Sequence, residues 1–295
     1  YIMEYIYNLG GEIVGAIDID PEKIGKDIST IINSTPKNIF IYDYNKLETI
    51  IDDTKPDIAV ITTLSFLNDV EDAIRTCIRS GVNVITTSEE CFYAKNSLAK
   101  ANNATITGCG YQDVFWGNLI TVLAGSIHKI TKIKGSSSYN VEDYGIALAQ
   151  AHGAGLTIEE FNKTIASADN IPDEERNKLI QERKFSPSYM WNATGWIANK
   201  MGLTPIRLNQ KCVPETKEGI TIEAECIGKV YSSEDYDKNE WTIYGEPETT
   251  IIVNRPDTVK LTCADVVNRI PDVINAKPGF IFTSELKEST YKLKY

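Results

Sequence analysis

The sequence predicts an α/β fold in which a doubly wound parallel sheet is joined to a second domain of the α+β class. Up to about residue 110, strand-like segments alternate with helix-like segments. These strand-like segments are apolar throughout, which is typical of strands that helices cover on both faces of a parallel sheet. After Asp113 the segments lengthen and alternate polar with apolar residues, which indicates a sheet with one packed and one solvated face.

The first domain is predicted to contain five strands. A helix over 1–9 is stopped by the pair Gly10-Gly11. Strands follow at 12–18, 38–42, 57–63, 83–88 and 104–108, and the helices between them start after Asp20-Pro21 and span 44–53, 68–80 and 98–103. This alternation fits a Rossmann-like doubly wound domain. On this interpretation the sequence given starts just after the place where the first strand of that fold and its G-x-G-x-x-G loop are expected.

The second domain is predicted to carry strands at 129–141, 206–213, 220–231, 241–244 and 249–254. Helices are predicted at 141–151, 157–168 and 191–201, and a late helix at 262–275 returns to the first domain. We therefore assign 1–115 with 258–295 to a dinucleotide-binding domain and 116–257 to a substrate-binding and dimerisation domain. A homodimer is expected because the open sheet of the second domain leaves edges to cover.

The composition indicates which kinds of partner and of metal site the protein lacks. The net charge is −11, with no cluster of basic residues, which excludes a nucleic-acid partner. No apolar run approaches the roughly 18 residues that cross a bilayer, and no secretory signal opens the chain, so we expect a cytoplasmic protein. Six cysteines without a C-x-x-C pair and two histidines indicate reduced thiols and no metal site.

Asp18 ends the first predicted strand of the chain. A carboxylate at this place can accept hydrogen bonds from the ribose hydroxyls of NAD, and its charge disfavours a 2′-phosphate. The alternative is a solvated or helix-capping acid, because Asp18-Ile19-Asp20-Pro21 also has the pattern of a helix start. Ile19 stands where an enzyme that uses NADP often carries arginine, which favours NAD, but Lys23 and Lys26 leave NADP open.

Hydroxyl side chains follow two later strands of the same predicted sheet. Thr62, Thr63 and Ser65 come at the end of the strand at 57–63, and Thr87 ends the strand that begins at Asn83. Ligands of open α/β sheets bind outside these carboxyl ends, so all four residues are candidates to contact the cofactor. The alternative for the first three is a turn that caps the next helix.

Two adjacent carboxylates, Glu89 and Glu90, directly follow the strand at 83–88. A carboxyl group in a partly dry site has a raised pKa and can exchange protons near neutral pH, or it can hold a substrate ammonium. At most one of the two can point into such a site, because neighbouring strand residues face opposite ways. The alternative is a pair of helix N-terminal acids.

Four residues of the second domain are candidates to bind substrate. Tyr139 and Asn140 end a predicted strand, His152 follows a predicted helix, and Asn192 lies on another. The structural alternative is open for each of them, since a lone histidine is more often a satisfied structural residue and the helix of Asn192 has the composition of a core helix.

Six segments together resemble a known family. They are AIDIDP (16–21), TTSEE (86–90), TGCGYQD (107–113), MWNATGW (190–196), ECIGKVY (225–231) and VNRIP (267–271). This combination is similar to 2,4-diaminopentanoate dehydrogenase and the related native amine dehydrogenases, which share the N-terminal fold of dihydrodipicolinate reductase. The likeness extends over nearly the whole chain.

The resemblance implies an NAD(P)-dependent oxidative deamination of a diamino acid or amine, reversible as reductive amination. A hydride would leave the amine-bearing carbon for the nicotinamide, and water would then replace ammonia to leave a ketone. The family has a glutamate directly after the strand that corresponds to 83–88 here. This glutamate corresponds to Glu89 or Glu90. Two alternatives stay open: an imine reductase like dihydrodipicolinate reductase, whose paired histidines have no counterpart here, and a truncated, non-catalytic sensor or dimerisation protein.

Overall fold

A parallel α/β unit and a mixed-sheet unit divide the chain between them. The first consists of Tyr1–Gly110 with Thr262–Tyr295, and the second of Tyr111–Leu261. The computed structural model describes residues 1–64, 67–88, 96–144, 146–182, 184–185, 189–207, 212–213 and 215–295. Glu89, Glu90 and Ser65 therefore lie outside the described residues.

The helices and strands alternate along the described residues. The α-helices are α1 (Ile2–Asn8), α2 (Ser29–Ile32), α3 (Leu47–Thr54), α4 (Leu67–Arg79), α5 (Asn96–Ala101), α6 (Leu119–Ala124), α7 (Ile146–Ala151), α8 (Ile158–Thr164), α9 (Asp173–Gln181), α10 (Tyr189–Lys200) and α11 (Thr258–Ile274). The strands are β1 (Ala16–Asp18), β2 (Ile41–Asp43), β3 (Ile58–Ile61), β4 (Asn83–Thr86), β5 (Thr105–Gly108), β6 (Lys129–Asn140), β7 (Pro205–Arg207), β8 (Cys212–Val213), β9 (Glu215–Thr216), β10 (Thr221–Lys229), β11 (Lys238–Glu246), β12 (Thr249–Asn254) and β13 (Gly279–Phe280). Short 3-10 helices cover Tyr44–Lys46, Val141–Tyr144, Ala166–Asn170 and Thr283–Glu285, and a π-helix covers Asp113–Asn118.

Parallel pairing of the strands confirms the predicted fold class for the first unit. Four strands lie in the order β13-β5-β4-β3, each parallel to its neighbour. Strands β1 and β2 also run parallel, but they pair with each other in a separate ladder. The predicted parallel strands are therefore present, divided between two sheets.

Alternation within β4 explains why helices cover both faces of the four-stranded sheet. Val84 packs with Ile74 and Ile78 of α4 in one core cluster. The next residue, Ile85, packs with Val266 of α11 in a different cluster. Successive side chains of a strand point to opposite faces, so the two clusters lie on opposite sides of the sheet. Both β4 residues are fully buried, as the apolar sequence predicts.

Two local predictions for this unit were wrong. A helix was expected after Asp20-Pro21, but residues 21–25 form turns, and Gly25 has a φ of +82°, which a right-handed helix does not accommodate. Strand β13 was not predicted, because its two residues are too short to show a pattern. It pairs with β5, where the Thr107 hydroxyl donates to the Ile281 carbonyl oxygen at 2.7 Å.

The second unit is built on a five-stranded mixed sheet in the order β12-β11-β6-β10-β8. Strand β10 runs parallel to β6, and the other pairs are antiparallel. One face is the core, with Trp116 and Trp241 in edge-to-face contact at 5.4 Å between ring centroids. Gly135 lies beneath Trp241, and a β-carbon there would be 2.4–2.5 Å from three atoms of the indole. The register of β6 and β11 therefore requires glycine at this position.

The strand predicted at 206–213 was wrong as a single element. Strand β7 pairs with β9, whereas β8 pairs with β10, so the two ends of that segment belong to different sheets. Residues 208–211 between them lie outside the described residues. The helical stretch formed by the π-helix and α6 was not predicted.

Within the described part of the chain, no helix combines the length and apolar character that crossing a membrane requires. Among the same residues no group of three or more histidine, cysteine, aspartate or glutamate side chains is placed to hold a metal ion. Burial raises the pKa of the Cys77 thiol to about 12.

Candidate functional site

The carboxyl ends of β3 and β4 carry three of the predicted cofactor residues. Because these strands are parallel and Ile61 pairs with Thr86, their ends meet at one edge of the sheet. The Thr87 amide continues the ladder by donating to the Ile61 carbonyl oxygen at 3.2 Å. Thr62 and Thr63, directly after β3, are exposed, and Thr87 is half-buried. The structure therefore brings Thr62, Thr63 and Thr87 together.

Ser88, the second residue after β4, is held by two hydrogen bonds. The Ser88 side chain is fully buried. Its amide donates to Thr86 Oγ1 at 3.1 Å, and its hydroxyl donates to the Leu64 carbonyl oxygen at 3.3 Å. The predicted catalytic pair, Glu89 and Glu90, follows Ser88 directly in the sequence.

Asp18 ends β1, as predicted, and its two carboxylate oxygens have different surroundings. Oδ1 accepts the amides of Ile19 at 2.8 Å and Asp20 at 3.0 Å, while Oδ2 accepts the Lys23 ammonium at 3.0 Å. Partial burial alone would raise the pKa of Asp18, but the hydrogen bonds from Asp20 and Lys23 outweigh it and hold that pKa below its usual range. The carboxylate is therefore charged and held by hydrogen bonds to both of its oxygens.

These groups fit the ribose part of a dinucleotide. A partly exposed carboxylate at the end of β1 supplies acceptors for ribose hydroxyls, and the hydroxyls that follow β3 and β4, in the other parallel sheet, supply both donors and acceptors. Because two amides already orient Asp18, binding would not have to order this side chain. Asp18, Thr62, Thr63 and Thr87 thus stay the predicted cofactor residues among those that the structure describes.

In the second unit, Tyr139 and His152 form a hydrogen-bonded pair. The Tyr139 hydroxyl lies 2.9 Å from His152 Nε2, and the two rings meet edge to face at 5.9 Å. Gly228, which pairs with Tyr139 across β6 and β10, leaves the space for them. A β-carbon at Gly228 would be 2.8 Å from His152 Cδ2 and 2.9 Å from Tyr139 Cζ. The structure therefore brings these two predicted substrate residues together.

The other two predicted substrate residues do not join this pair in the described structure. Asn140 follows Tyr139 in β6 and so faces the opposite side of the sheet. Its Oδ1 accepts the Glu142 amide at 3.3 Å, which caps the 3-10 helix that follows. Asn192 lies in α10, and its side chain is outside what the structure describes.

Sequence reasoning missed two polar residues next to the Tyr139–His152 pair. Ser137 precedes Tyr139 on the same face of β6, and Asn239 of β11 is its direct partner in register. Ser137 is 3% exposed and Asn239 is 1% exposed. Among the described residues, neither Oδ1 nor Nδ2 of Asn239 has a hydrogen-bond partner. We call Ser137, Tyr139, Asn239 and His152 the polar face.

The polar face continues the core face of the same sheet. Along β6 the residues on this side change from Ile133 and Gly135 to Ser137 and Tyr139, as the alternation of buried positions shows. This change in β6 is a signal that could have found Ser137. The pairing of β6 with β11 cannot be read from the sequence, so no comparable signal pointed to Asn239.

Comparisons with known proteins agree on the kind of enzyme. No protein-family model matches the chain. The chain is 24% identical to 2,4-diaminopentanoate dehydrogenase of Acetoanaerobium sticklandii over 271 residues, which cover 79% of this chain and 74% of that protein. It is also similar to an amine dehydrogenase of Mycobacterium smegmatis, with 30% identity, a TM-score of 0.85, and coverage of 100% of this chain and 94% of that one.

A more distant structure shares the fold alone. The WlbA dehydrogenase of Thermus thermophilus, solved with NAD and α-ketoglutarate, is 10% identical with a TM-score of 0.54, over 99% of this chain and 88% of that one. The parallel sheet with polar residues at its strand ends and the whole-chain similarity to an amine dehydrogenase lead to one assignment. The chain belongs to the amine dehydrogenase family and is an NAD(P)-dependent oxidoreductase that oxidatively deaminates amines.

Proposed function

We propose that the enzyme oxidatively deaminates a diamino acid of the 2,4-diaminopentanoate type, and that it can run in reverse as a reductive amination. The similarity to an amine dehydrogenase over the whole chain carries this proposal. The name of the 2,4-diaminopentanoate dehydrogenase supports the substrate class. The reaction converts a protonated amine, water and NAD(P)+ into a ketone, ammonium, NAD(P)H and a proton.

The protein residues in this reaction have to handle the ammonium and its protons. When bound, NAD(P)+ takes a hydride from the amine-bearing carbon. We assign to Glu89 or Glu90 the holding of the substrate ammonium and the later transfer of protons from the attacking water. One carboxylate is enough for both tasks, because it can accept a proton in one step and donate it in the next.

The polar face of the second unit carries groups that suit an amino acid end. Asn239 offers one acceptor and one donor without a partner among the described residues, and leaving such buried atoms unmet costs about 1–3 kcal/mol each. An α-amino acid end carries an ammonium donor and a carboxylate acceptor, which match Oδ1 and Nδ2 of an asparagine. Tyr139 and His152 would add a hydroxyl and an imidazole. We therefore assign substrate binding to this face.

We further propose a homodimer in the cytoplasm. Strand β12 is an edge of the five-stranded sheet, and Ile252 on it is 47% exposed, so this edge offers both backbone groups and apolar surface to a second copy. Six widely spaced cysteines without a C-x-x-C pair suit a reducing compartment.

Cofactor reduction tests the function. NAD+ and NADP+ would be incubated separately with 2,4-diaminopentanoate, with simple amines and, in the opposite direction, NAD(P)H with hydrodipicolinate. We expect reduction with the diamino acid, with one ammonia released per reduced cofactor. Turnover of hydrodipicolinate alone would instead make the protein an imine reductase. No binding of either reduced cofactor would make it a non-catalytic protein of the same fold.

A further inference from the structure

We propose that four buried side chains of the second unit form a binding subsite for the zwitterionic end of an α-amino acid. They are Gln112, Trp116, Asn239 and Trp241, and we call them the tryptophan subsite. Asn239 also belongs to the polar face. The subsite deepens the proposed function and rests on it, because it makes an α-ammonium and an α-carboxylate the groups that the enzyme recognises besides the reacting amine.

Five polar atoms of the tryptophan subsite are buried without a hydrogen-bond partner among the residues that the structure describes. They are Nε1 of Trp116, Nε1 of Trp241, Oε1 of Gln112, and both Oδ1 and Nδ2 of Asn239. Gln112 is 8% exposed, and the other three side chains are at most 1% exposed. Polar atoms that are shielded from water and left unmet cost free energy, so a partner from outside the chain is expected here.

These polar side chains are neighbours because only two elements carry them. Asn239 and Trp241 lie two residues apart in β11, so they point to the same face of the sheet, about 7 Å from each other along the strand. The Trp241 ring meets Trp116 edge to face at 5.4 Å between centroids. Gln112 precedes Trp116 by four residues in one helical stretch, which places both on the same side of it. The π-helix in this stretch is an element found often at functional sites.

The donors and acceptors of the tryptophan subsite match an amino acid zwitterion. The two indole N–H groups and Asn239 Nδ2 can donate to a carboxylate, and Asn239 Oδ1 and Gln112 Oε1 can accept from an ammonium. All four side chains are neutral, so a ligand end with one positive and one negative group brings no net charge into the buried site. A carboxylate or an ammonium alone would bury an uncompensated charge. The chemistry therefore favours an α-amino acid over a simple acid or amine.

The polar face connects the tryptophan subsite to a more open part of the same sheet. Ser137 pairs in register with Asn239 and is 3% exposed. Two residues further along β6, Tyr139 is only half-buried, and so is His152, to which it is hydrogen-bonded. A ligand whose amino acid end lies at Asn239 would extend over Ser137, so the rest of its carbon chain would lie next to Tyr139 and His152.

Direct binding to the full chain tests the subsite without turnover. Titration calorimetry would measure the dissociation constants of 2-aminopentanoate, of pentanoate, which lacks the ammonium, and of 1-aminobutane, which lacks the carboxylate. We expect 2-aminopentanoate to bind about tenfold or more tightly than either of the other two, because only this probe supplies partners for both the donors and the acceptors.

Four variants test which residues make this difference. Trp116→Phe and Trp241→Phe each remove one N–H donor, and Gln112→Met removes the acceptor at similar size. Each should weaken 2-aminopentanoate by about tenfold, as expected for a hydrogen bond to a charged group. Trp196→Phe is the control, since Trp196 is 3% exposed and lies in α10, outside the subsite. It should change the affinity by about twofold or less.

The same variants separate recognition of the amino acid end from catalysis. In the variants of Gln112, Trp116 and Trp241, the KM for 2,4-diaminopentanoate should rise in parallel with the dissociation constant of 2-aminopentanoate. The KM for 2-aminopentane, which has the same carbon chain without the amino acid end, should stay near that of the wild type. A parallel rise for both amines would contradict the subsite.

Three further results would overturn the inference. Equal affinities of the wild type for the three probes would mean that buried water alone meets these atoms. Equal losses in the variants of Trp116, Trp241 and Trp196 would show lost packing and not a lost donor. An unchanged affinity in Gln112→Met would contradict the subsite even where the tryptophan variants do not fold. Failure of the proposed function is a different result: binding of 2-aminopentanoate that depends on these residues, without turnover of 2,4-diaminopentanoate.

Discussion

The first unit carries its polar candidates at the ends of parallel strands, whereas the second carries them along one face of a mixed sheet. Asp18 and Thr87 are each the last residue of a short strand or the next one. Ser137 and Asn239 instead lie within long strands and share a face because β6 and β11 pair in one register. Topology alone brings strand ends together, but a shared face requires correct pairing of distant segments.

The difference has a consequence for how each region tolerates change. At a strand end, a side chain can be replaced without disturbing the sheet, so a variant reports on chemistry. On a packed face, a side chain also contributes to the core, as Gly135 beneath Trp241 shows. For variants of the second unit, the free energy of unfolding therefore has to be measured as well as substrate binding.

Replacing the two glutamates singly by glutamine gives the largest expected effect and tests whether the strand end is where chemistry occurs. We expect one of Glu89→Gln and Glu90→Gln to lower kcat by about 10²–10⁴, the usual range for a general acid–base group. The other should stay near the wild type, because neighbouring residues of a strand are predicted to face opposite ways. Steady-state kinetics measures kcat for each variant, and the affinity for NADH serves as the control. Equal, mild effects at both positions would contradict a catalytic carboxylate.

The register of the second sheet is tested by a pair of glycines. In Gly135→Ala the new methyl group would lie 2.4–2.5 Å from the Trp241 ring, so we expect a loss of about 1–3 kcal/mol in the free energy of unfolding. In Gly195→Ala, within α10, the methyl meets no atom within 4 Å in the described part of the chain, and a gain of about 0.5–1 kcal/mol is expected. Urea denaturation of both variants measures this. Similar changes in the free energy of unfolding for the two alanine variants would mean that Trp241 does not cover Gly135.

Asn239→Leu distinguishes a substrate contact from a packing residue. We expect the KM for a diamino acid to rise by about tenfold, a loss of about 1.4 kcal/mol in binding, while kcat for a simple amine is kept. Stability should stay equal or improve, because an apolar group replaces buried polar atoms without partners. Asn254→Leu, an exposed asparagine on β12, is the control. An unchanged KM combined with lower stability would assign Asn239 to the core.

The smallest effect is expected at Asp27, an acid of the first unit that serves structure rather than ligands. Its carboxylate accepts the amides of Ser29 at 2.8 Å, Lys37 at 3.2 Å and Asn38 at 2.6 Å, and these hydrogen bonds, led by that of Ser29, lower the pKa of Asp27 to about 2. A lowered pKa in the folded state contributes stability that is present above about pH 4 and is lost as the pH falls toward 2.

The comparison with Asp27→Asn measures this contribution. The difference in free energy of unfolding between wild type and variant should shrink as the pH falls from about 4 to about 2, as chemical denaturation at each pH would record. A difference that stays constant with pH would show that the carboxylate is not held by these amides in solution.

Sequence patterns predicted the first unit well and the second only in part, for a physical reason. In the first unit, Asp18, Thr62, Thr63 and Thr87 follow apolar strands directly, so their place at the sheet edge could be predicted from neighbouring residues. The sequence pattern did not show that β1 and β2 would form a separate ladder, since pairing depends on distant segments.

Asn239 shows why the second unit was harder. The predicted strand at 241–244 began after it, because Lys238, Asn239 and Glu240 have little preference for strands. In the structure β11 starts at Lys238, since pairing with β6 outweighs local preference. Asn140 was predicted as a substrate residue because it ends the same strand as Tyr139, and alternation turns its side chain to the face opposite Tyr139.

Isotope transfer tests the central claim, hydride removal from an amine-bearing carbon, most directly. The substrate would be 2,4-diaminopentanoate deuterated at both amine-bearing carbons, incubated with the enzyme and NAD+ or NADP+. We predict that one deuterium appears in each reduced cofactor and that ammonia and a ketone form in equal amounts. Reduced cofactor that carries only protium, or deuterium retained at both carbons, would contradict the account.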